Sequence, residues 1–252
     1  MISDAVLTQE YFDTMNSLDG DLAGKRSARA YMDQSSAIVH HRVVGASFIP
    51  RLYNDEVWER FRFISETIHT ILCKVIERYR SDEAYRAVFD YDTRLVELIL
   101  LPRGYDAILP FARVDIFLNE DTLESAFCEL NGDGSAGLNE DREIVHSIET
   151  SETFTRFAAH HQLESCELFK SWVAEFIAIY ETFKNKVAHP RFAICDYLDV
   201  GVVDEFRIFS EYFKQAGYEC VIADVRDLSF DGTVLRDGNG QQIDAIWRRC
   251  VT

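Results

Sequence analysis

The sequence predicts a mixed α+β chain in two parts, a helix-rich part over 1–189 and an alternating strand–helix–strand part over 190–252. Three observations carry this. Apolar residues recur at helical spacing through much of the first part, as in Phe61, Ile64, Ile68, Leu72 and Ile76. Within it, Arg113 and Asp115 alternate with Val114 and Ile116, and Glu129 and Asn131 alternate with Cys128 and Leu130, the period of two expected of strands. After Pro190, "RFAICDY" and "YECVIADV" read as buried strands on either side of a helical run.

The elements follow in order. The first fifty residues have weak periodicity, and "RSARAYMDQSSAIVHHRVVGASFIPRLYN" reads as short helix mixed with loop. Asn54 suits a helix cap, with Asp55 and Glu56 at the positive end. Ser81 is placed to cap a second helix, and "DTRLVELILLP" gives a third that ends near Pro102. The polar "NEDTLES" is of loop length, so the two alternating runs are expected to form an antiparallel hairpin. Asn139 is placed to cap a helix with Glu140 and Asp141 in its first turn. "ESCELFKSWVAEFIAIYETFKNK" reads as a long amphipathic helix with Leu168, Trp172, Phe176, Ile179 and Phe183 along one side. In the second part "VVDEFRIFSEYFKQAG" is a helix with Gly217 at its C-terminal cap. "DGTVLRDGNGQQIDAIWRR" adds a small hairpin and a further strand. Strand, helix, strand takes a parallel pair by default, which makes this part Rossmann-like.

Composition bounds the function. The formal net charge is −17 over 252 residues, which argues against nucleic acid or an anionic membrane as partner, because both are polyanions. The longest apolar runs, such as "LVELILL", fall well short of the ~20 residues a spanning helix needs. The first residues have neither a basic start nor an apolar core, so no secretory signal is read there. Six cysteines are scattered without a CxxC pair and read as reduced, mostly buried thiols of a cytoplasmic protein.

Residues 111–143 hold the most chemistry. An EF-hand loop begun at Asn131 would place Asp133 and Ser135 well. It would also put Ala136 where glycine is needed and Arg142 where a bidentate glutamate is needed. That reading fails. As strands, the runs set Arg113 and Asp115 on one face and Glu129 and Asn131 on one face. In one register Asp115 and Glu129 oppose each other, and two carboxylates that close repel unless one is protonated or a cation lies between them. With the Asn131 amide oxygen they make a hard, all-oxygen set suited to Mg²⁺ that also holds substrate phosphates, and Arg113 is placed to hold a phosphoryl oxygen. The same spacing also fits a solvated hairpin face with Arg113 paired to Glu129.

Other motifs carry less. Adjacent histidines, His40–His41 and His160–His161, diverge on a strand or helix and make poor clamps. "QSSAIVHHR" lacks a nucleophile elbow, and "DGNG" lacks the GK[ST] and helix of a phosphate loop. Arg248 and Arg249 end a strand where α/β folds place ligands. Either one of them binds an anionic substrate or phosphate, or both face solvent.

"ARVDIFL" followed by "AFCELNGDGSAG" resembles the metal hairpin of ATP-grasp ligases, in which an R-x-D strand precedes an E-x-N strand and a glycine-bearing turn. The resemblance implies that Asp115, Glu129 and Asn131 hold the Mg²⁺ of bound ATP and that Arg113 is catalytic, stabilising the transferring phosphoryl group. It implies that the backbone of Gly132, Gly134 and Ser135 approaches the substrate. The hairpin precedes the Rossmann-like part, an inverted order that resembles the circularly permuted, glutathionylspermidine synthase-like group. That part is similar to its pre-ATP-grasp domain. The family joins small-molecule or peptide carboxylates to amines through an acyl phosphate. No counterpart of the family's lysine-bearing lid is seen in the 252 residues. The chain is thus expected to be part of a longer enzyme, or a degenerate protein, and inactive alone. A non-catalytic binding or scaffold module is the competing expectation.

Overall fold

The computed structural model describes residues 4–39, 41–132 and 135–250, and over these the chain is mixed helix and sheet. Helices α1 (Asp4–Asn16) and α2 (Leu22–Met32) occupy the stretch whose weak periodicity suggested more loop. Later parts of the chain hold them. Tyr11 of α1 is fully buried and meets Phe157 edge-on at 5.3 Å. Asp21 caps α2 by accepting from Gly24 N at 2.8 Å, while its other oxygen accepts from Thr153 N at 2.9 Å and Thr153 Oγ1 at 2.7 Å. A two-residue antiparallel pair follows, β1 (Ile38–Val39) and β2 (Arg42–Val43). His40, between them, lies outside the described residues.

Helix α3 (Asp55–Ser81) begins where its cap predicts, with Asn54 Oδ1 accepting from Val57 N at 3.0 Å. Its predicted stripe is the more covered side, with Ile64 buried and Phe61, Ile68, Leu72 and Ile76 half-buried. Asp82, not Ser81, caps the short α4 (Glu83–Arg86), accepting from Tyr85 N at 2.9 Å. The Ser81 hydroxyl instead turns back to Glu77 O at 2.8 Å, completing α3. Helix α5 (Thr93–Leu100) stops before Pro102 as expected.

Strands β3 (Arg113–Leu118) and β4 (Ser125–Asn131) form the antiparallel hairpin. From α3, Arg60 donates to Leu123 O at 3.0 Å and pins the hairpin's connecting loop. Helices α6 (Leu138–Glu149) and α7 (Glu152–Ala158) then pack against α2 and α1. Helix α8 (Leu168–Glu181) is shorter than the apolar run, because Glu167 caps it by accepting from Lys170 N at 2.8 Å and Ser171 N at 3.2 Å. Its buried residues are Phe169, Val173 and Tyr180. The expected Leu168, Trp172, Phe176 and Ile179 lie alongside, half-buried.

Beyond Pro190, β5 (Arg191–Asp196), α9 (Val203–Gln215) and β6 (Glu219–Asp224) form the expected parallel unit. Gly217, at φ 91°, ends α9 with Tyr218 N donating to Phe213 O at 2.9 Å, a left-handed cap that glycine adopts without strain. A small antiparallel sheet of β7 (Ser229–Phe230), β8 (Leu235–Arg236) and β9 (Gln242–Ile243) leads into β10 (Ala245–Arg248). The last strand returns beside β5, also parallel, for a sheet order of β10–β5–β6. One apolar cluster joins Phe169, Val173 and Tyr180 of α8 to Phe192 and Ile194 of β5, to Phe206, Phe209 and Phe213 of α9, and to Trp247 of β10. Apolar packing therefore runs across residue 189, where the composition changes. Among the described residues no helix is long and apolar enough to cross a membrane.

Candidate functional site

The hairpin register sets Arg113 opposite Asn131, Val114 opposite Leu130 and Asp115 opposite Glu129. Period two then puts the four polar side chains on one face at one end of the ribbon. Beyond Asp115 the register shifts, so that Ile116 faces Phe127 and Cys128 is the extra residue. That bulge confines the polar patch, because it turns Phe127 to the side of Val114 and Ile116 instead of the side of Glu129.

Arg113 holds this end together. Its Nε donates to Asp115 Oδ1 at 2.8 Å and its Nη1 to the Ala136 carbonyl at 3.2 Å. The pairing with Glu129 that the spacing also allowed is not formed; an i,i+2 partner on the same strand face is nearer than a diagonal one. Among the described residues the Glu129 carboxylate has no hydrogen-bond or ion-pair partner, and Asn131 Nδ2 is buried without one. Ser135 Oγ donates to Asn131 O at 3.3 Å. Gly132 has open space where a side chain would begin. Gly134 and Asp133 lie outside the described residues.

The donor set is two carboxylates and an amide, all hard oxygen, which fits Mg²⁺ in preference to a softer ion. Among the described residues no group of three or more His, Cys, Asp or Glu side chains is arranged to hold a metal. The hairpin would therefore leave most of an octahedral shell to water and phosphate.

A cavity of about 510 Å³ opens beside this patch. Phe111, Gly132, Ser135, Trp172, Trp247 and Arg248 line it at the hairpin side. Phe111 stacks on Trp172 at 4.2 Å, and Trp172 meets Trp247 at 5.0 Å. Three of the sequence-predicted substrate residues, Gly132, Ser135 and Arg248, thus share one cavity. Arg249 does not reach it. With alternation along β10, Arg248 is exposed and Arg249 is buried on the opposite side.

Arg249 has a different partner. Its Nη2 lies 3.0 Å from Glu205 Oε1, with the two side chains 2% and 0% exposed. The guanidinium also sits over the rings of Trp247 at 4.9 Å and Phe206 at 5.1 Å. Glu205 Oε2 accepts from Leu138 N at 3.0 Å and Asn139 N at 3.1 Å. The start of α6, directly after the glycine-rich turn, is therefore capped by a glutamate from α9. Asn139, expected as the cap, lies inside α6, where its amide donates to Ser36 O at 2.8 Å. Gly137 holds the cap position at φ 103°, a left-handed conformation that glycine adopts without strain, and having no side-chain acceptor of its own it leaves the capping to the Glu205 carboxylate. Nearby Glu140 has its carboxyl pushed above the ordinary value, first by burial and then by the Glu205 charge, against which Arg249 acts.

Sequence reasoning missed Glu205. An acidic residue in a first helical turn suits that helix's own N-terminus, and nothing local marks it as the cap of a helix 67 residues away. His161, set aside with its neighbour, stacks on Phe157 at 4.2 Å and pairs with Glu10 at 3.1 Å, an ordinary structural role. The sequence matches no family model and no curated protein.

Proposed function

We propose that the chain is part of an ATP-dependent carboxylate–amine ligase of the permuted ATP-grasp type. The observation that carries the reading is the hairpin register, with Asp115 opposite Glu129 and Arg113 opposite Asn131 on one face. On this reading Asp115, Glu129 and Asn131 hold magnesium and, through it, the nucleotide phosphates. Magnesium-bound ATP supplies the phosphoryl group that activates a carboxylate in this class of reaction. Arg113, already turned along the face by Asp115, neutralises charge on the phosphoryl oxygens. Ser135 and the open backbone at Gly132 face the carboxylate, and Arg248 orients it from β10. The Rossmann-like label for the β10–β5–β6 sheet, with ligands at its strands' carboxyl ends, and a cytoplasmic setting belong to the same proposal.

The test is a magnesium titration of the 252-residue chain followed by amide NMR, with and without a non-hydrolysable ATP analogue. Shifts centred on β3, β4 and the following turn are expected, and Glu129→Gln should remove them. A hairpin that does not respond even with the analogue present would sink the assignment. That outcome favours the rival reading, a binding module, to which the exposure of Phe117 (70%) and Phe127 (55%) on the hairpin points.

A further inference from the structure

We propose that the open edge of β10 takes an extended peptide segment of a partner polypeptide. The segment adds to the three-stranded sheet as a fourth strand and sets apolar side chains against α8. The proposal goes beyond the ligase reading and does not need it, because it rests on the sheet edge and not on the hairpin.

The cavity of about 510 Å³ is lined by every residue from Asp244 to Arg248. Successive side chains of a strand point to opposite faces, so a cavity against one face would meet only alternate residues. Ala245 and Trp247 lie on the face that packs with α8, in one cluster with Phe169 and Tyr180. Ile246 and Arg248 alternate to the other face. A cavity that meets both sets runs along the edge of the strand. Among the described residues β10 pairs with β5 alone, so this edge is open.

The edge presents main-chain groups. Arg249 N donates to Cys195 O at 2.8 Å, which fixes the phase of the parallel ladder. Ala245, Trp247 and Arg249 therefore turn their N–H and C=O toward β5, and Ile246 turns both of its own to the open edge. An alkyl or aryl molecule in the slot would strip water from those two groups and return no hydrogen bond. An extended peptide pairs with both. At about 3.3 Å per residue the lined stretch is roughly 13 Å long, the reach of about four peptide residues. Arg103 also lines the slot; it spends Nη1 on Ile108 O at 3.0 Å and has donors left for a peptide carbonyl. On the α8 side the smaller lining residue of β10 is Ala245, and the wall there is Phe176, Tyr180 and Phe183. Peptide residues beside Ala245 and Trp247 face that wall, where apolar side chains gain most from burial.

The occupant is a segment and not a second folded copy. The slot is walled by α8 and by the 103–111 loop. Asp106 N holds that loop to Thr182 Oγ1 at 3.0 Å, and Phe111 stacks on Trp172 at 4.2 Å. About four residues of contact fall well short of the ~800 Å² per partner of a stable protein interface. Two copies would also each bring a charge of −17.

The experiment titrates the full chain, without magnesium or nucleotide, with the peptide acetyl-Thr-Phe-Thr-Phe-Thr-amide. Calorimetry reads binding and NMR reads amide exchange. Saturable binding is expected. The Ile246 amide should exchange freely in the unbound protein and at least about tenfold more slowly in the complex, while the Trp247 amide, which faces β5, changes little. Two further peptides carry N-methyl groups on the threonines or on the phenylalanines, and one of them should bind about tenfold more weakly or worse, because alternate amides face β10. Alanine in place of both phenylalanines should weaken binding at least as much. Ile246→Pro removes the outward N–H without touching a bond to β5 and should weaken binding likewise, with far-UV circular dichroism unchanged. No saturable binding, unchanged Ile246 exchange in the complex, or indifference to both sets of N-methyl groups overturns the proposal. So does protection of Ile246 by self-association at raised protein concentration, which would give the edge to a second copy. A hairpin that binds no metal leaves a positive result intact, and failure of the peptide leaves the ligase reading intact.

Discussion

The buried pair of Glu205 and Arg249 gives the most demanding prediction. Both side chains are shut away from water, at 0% and 2% exposure, and the carboxylate also terminates α6 through Leu138 N and Asn139 N. Arg249→Met leaves that carboxylate buried without its countercharge. Glu205→Gln keeps an oxygen for the two N–H groups but strands the guanidinium between Phe206 and Trp247. Removing one partner of a buried pair costs about 3–5 kcal/mol, which at about 2–4 °C per kcal/mol for a chain of this size is a fall of roughly 6–20 °C in Tm. The double variant Glu205→Gln/Arg249→Met removes both charges and keeps the cap. It should therefore be more stable than the sum of the singles implies, by roughly 2–3 kcal/mol of coupling. Urea unfolding followed by far-UV circular dichroism gives all three values. Additive losses, or an Arg249→Met variant within about 1 kcal/mol of wild type, would show that the pair does not hold the turn to the sheet.

Two further outcomes follow from other buried groups. Burial pushes the Asp21 carboxyl up, but hydrogen bonds from Thr153 N, Thr153 Oγ1 and Gly24 N outweigh burial and hold it below the ordinary 3.8. Its contribution is complete above that value and is lost as pH falls through the lower folded value. Asp21→Ala should thus cost about 1–3 kcal/mol at neutral pH and less on acidification, and a pH-independent cost in acid unfolding curves would refute the linkage. Burial pushes the Cys195 and Cys220 thiols up to about 12, whereas Cys128 is exposed on the hairpin bulge. In native protein Cys128 should react at once with an aromatic disulfide reagent and the other two only on unfolding; a single fast phase for all three would contradict that burial.

What the sequence could disclose followed the range of the interaction. The hairpin was legible because strand alternation and a polar connecting loop are local; Asp115 opposite Glu129 was one register among those that alternation allowed, and the structure selects it. The left-handed end of α9 was legible because glycine marks it at Gly217. Asn54 could be read as a cap because its acceptor serves an N–H three residues on. The misjudged positions depend on distant partners. Helices α1 and α2 stand on Tyr11 with Phe157 and Asp21 with Thr153, far apart in the chain. Asn139 has the right residue type for a cap, yet Glu205 takes that place from another helix. The bulge at Cys128 left no mark, since strand alternation continues on either side of it. For the two closing arginines the sequence left open an anion-binding residue or a pair facing solvent, and Arg249 is neither, because Glu205 of α9, distant in the chain, takes it into a buried ion pair.

These ties act unequally on the segment between β4 and α6. On the hairpin side it is held by Arg113 Nη1 on Ala136 O at 3.2 Å, from a side chain 44% exposed, and by Ser135 on Asn131 O at 3.3 Å. The first is exposed and the second part-buried, both are long, and a hydrogen bond of this kind contributes about 0.5–1.5 kcal/mol. On the helix side the two bonds to Glu205 are charge-assisted and wholly buried, each worth about 1.5–3 kcal/mol. The start of α6 is therefore fixed to α9 and, through Arg249, to the end of β10. Arg248, at that same strand end, lines the cavity. The buried pair thus places the helix side of the turn and Arg248 on one frame, while the polar hairpin end is held more weakly. On the proposed ligase reading, the exposed Arg113–Asp115 contact is the one that a bound ion or phosphate would exchange, while the buried pair holds the helix side of the turn in place.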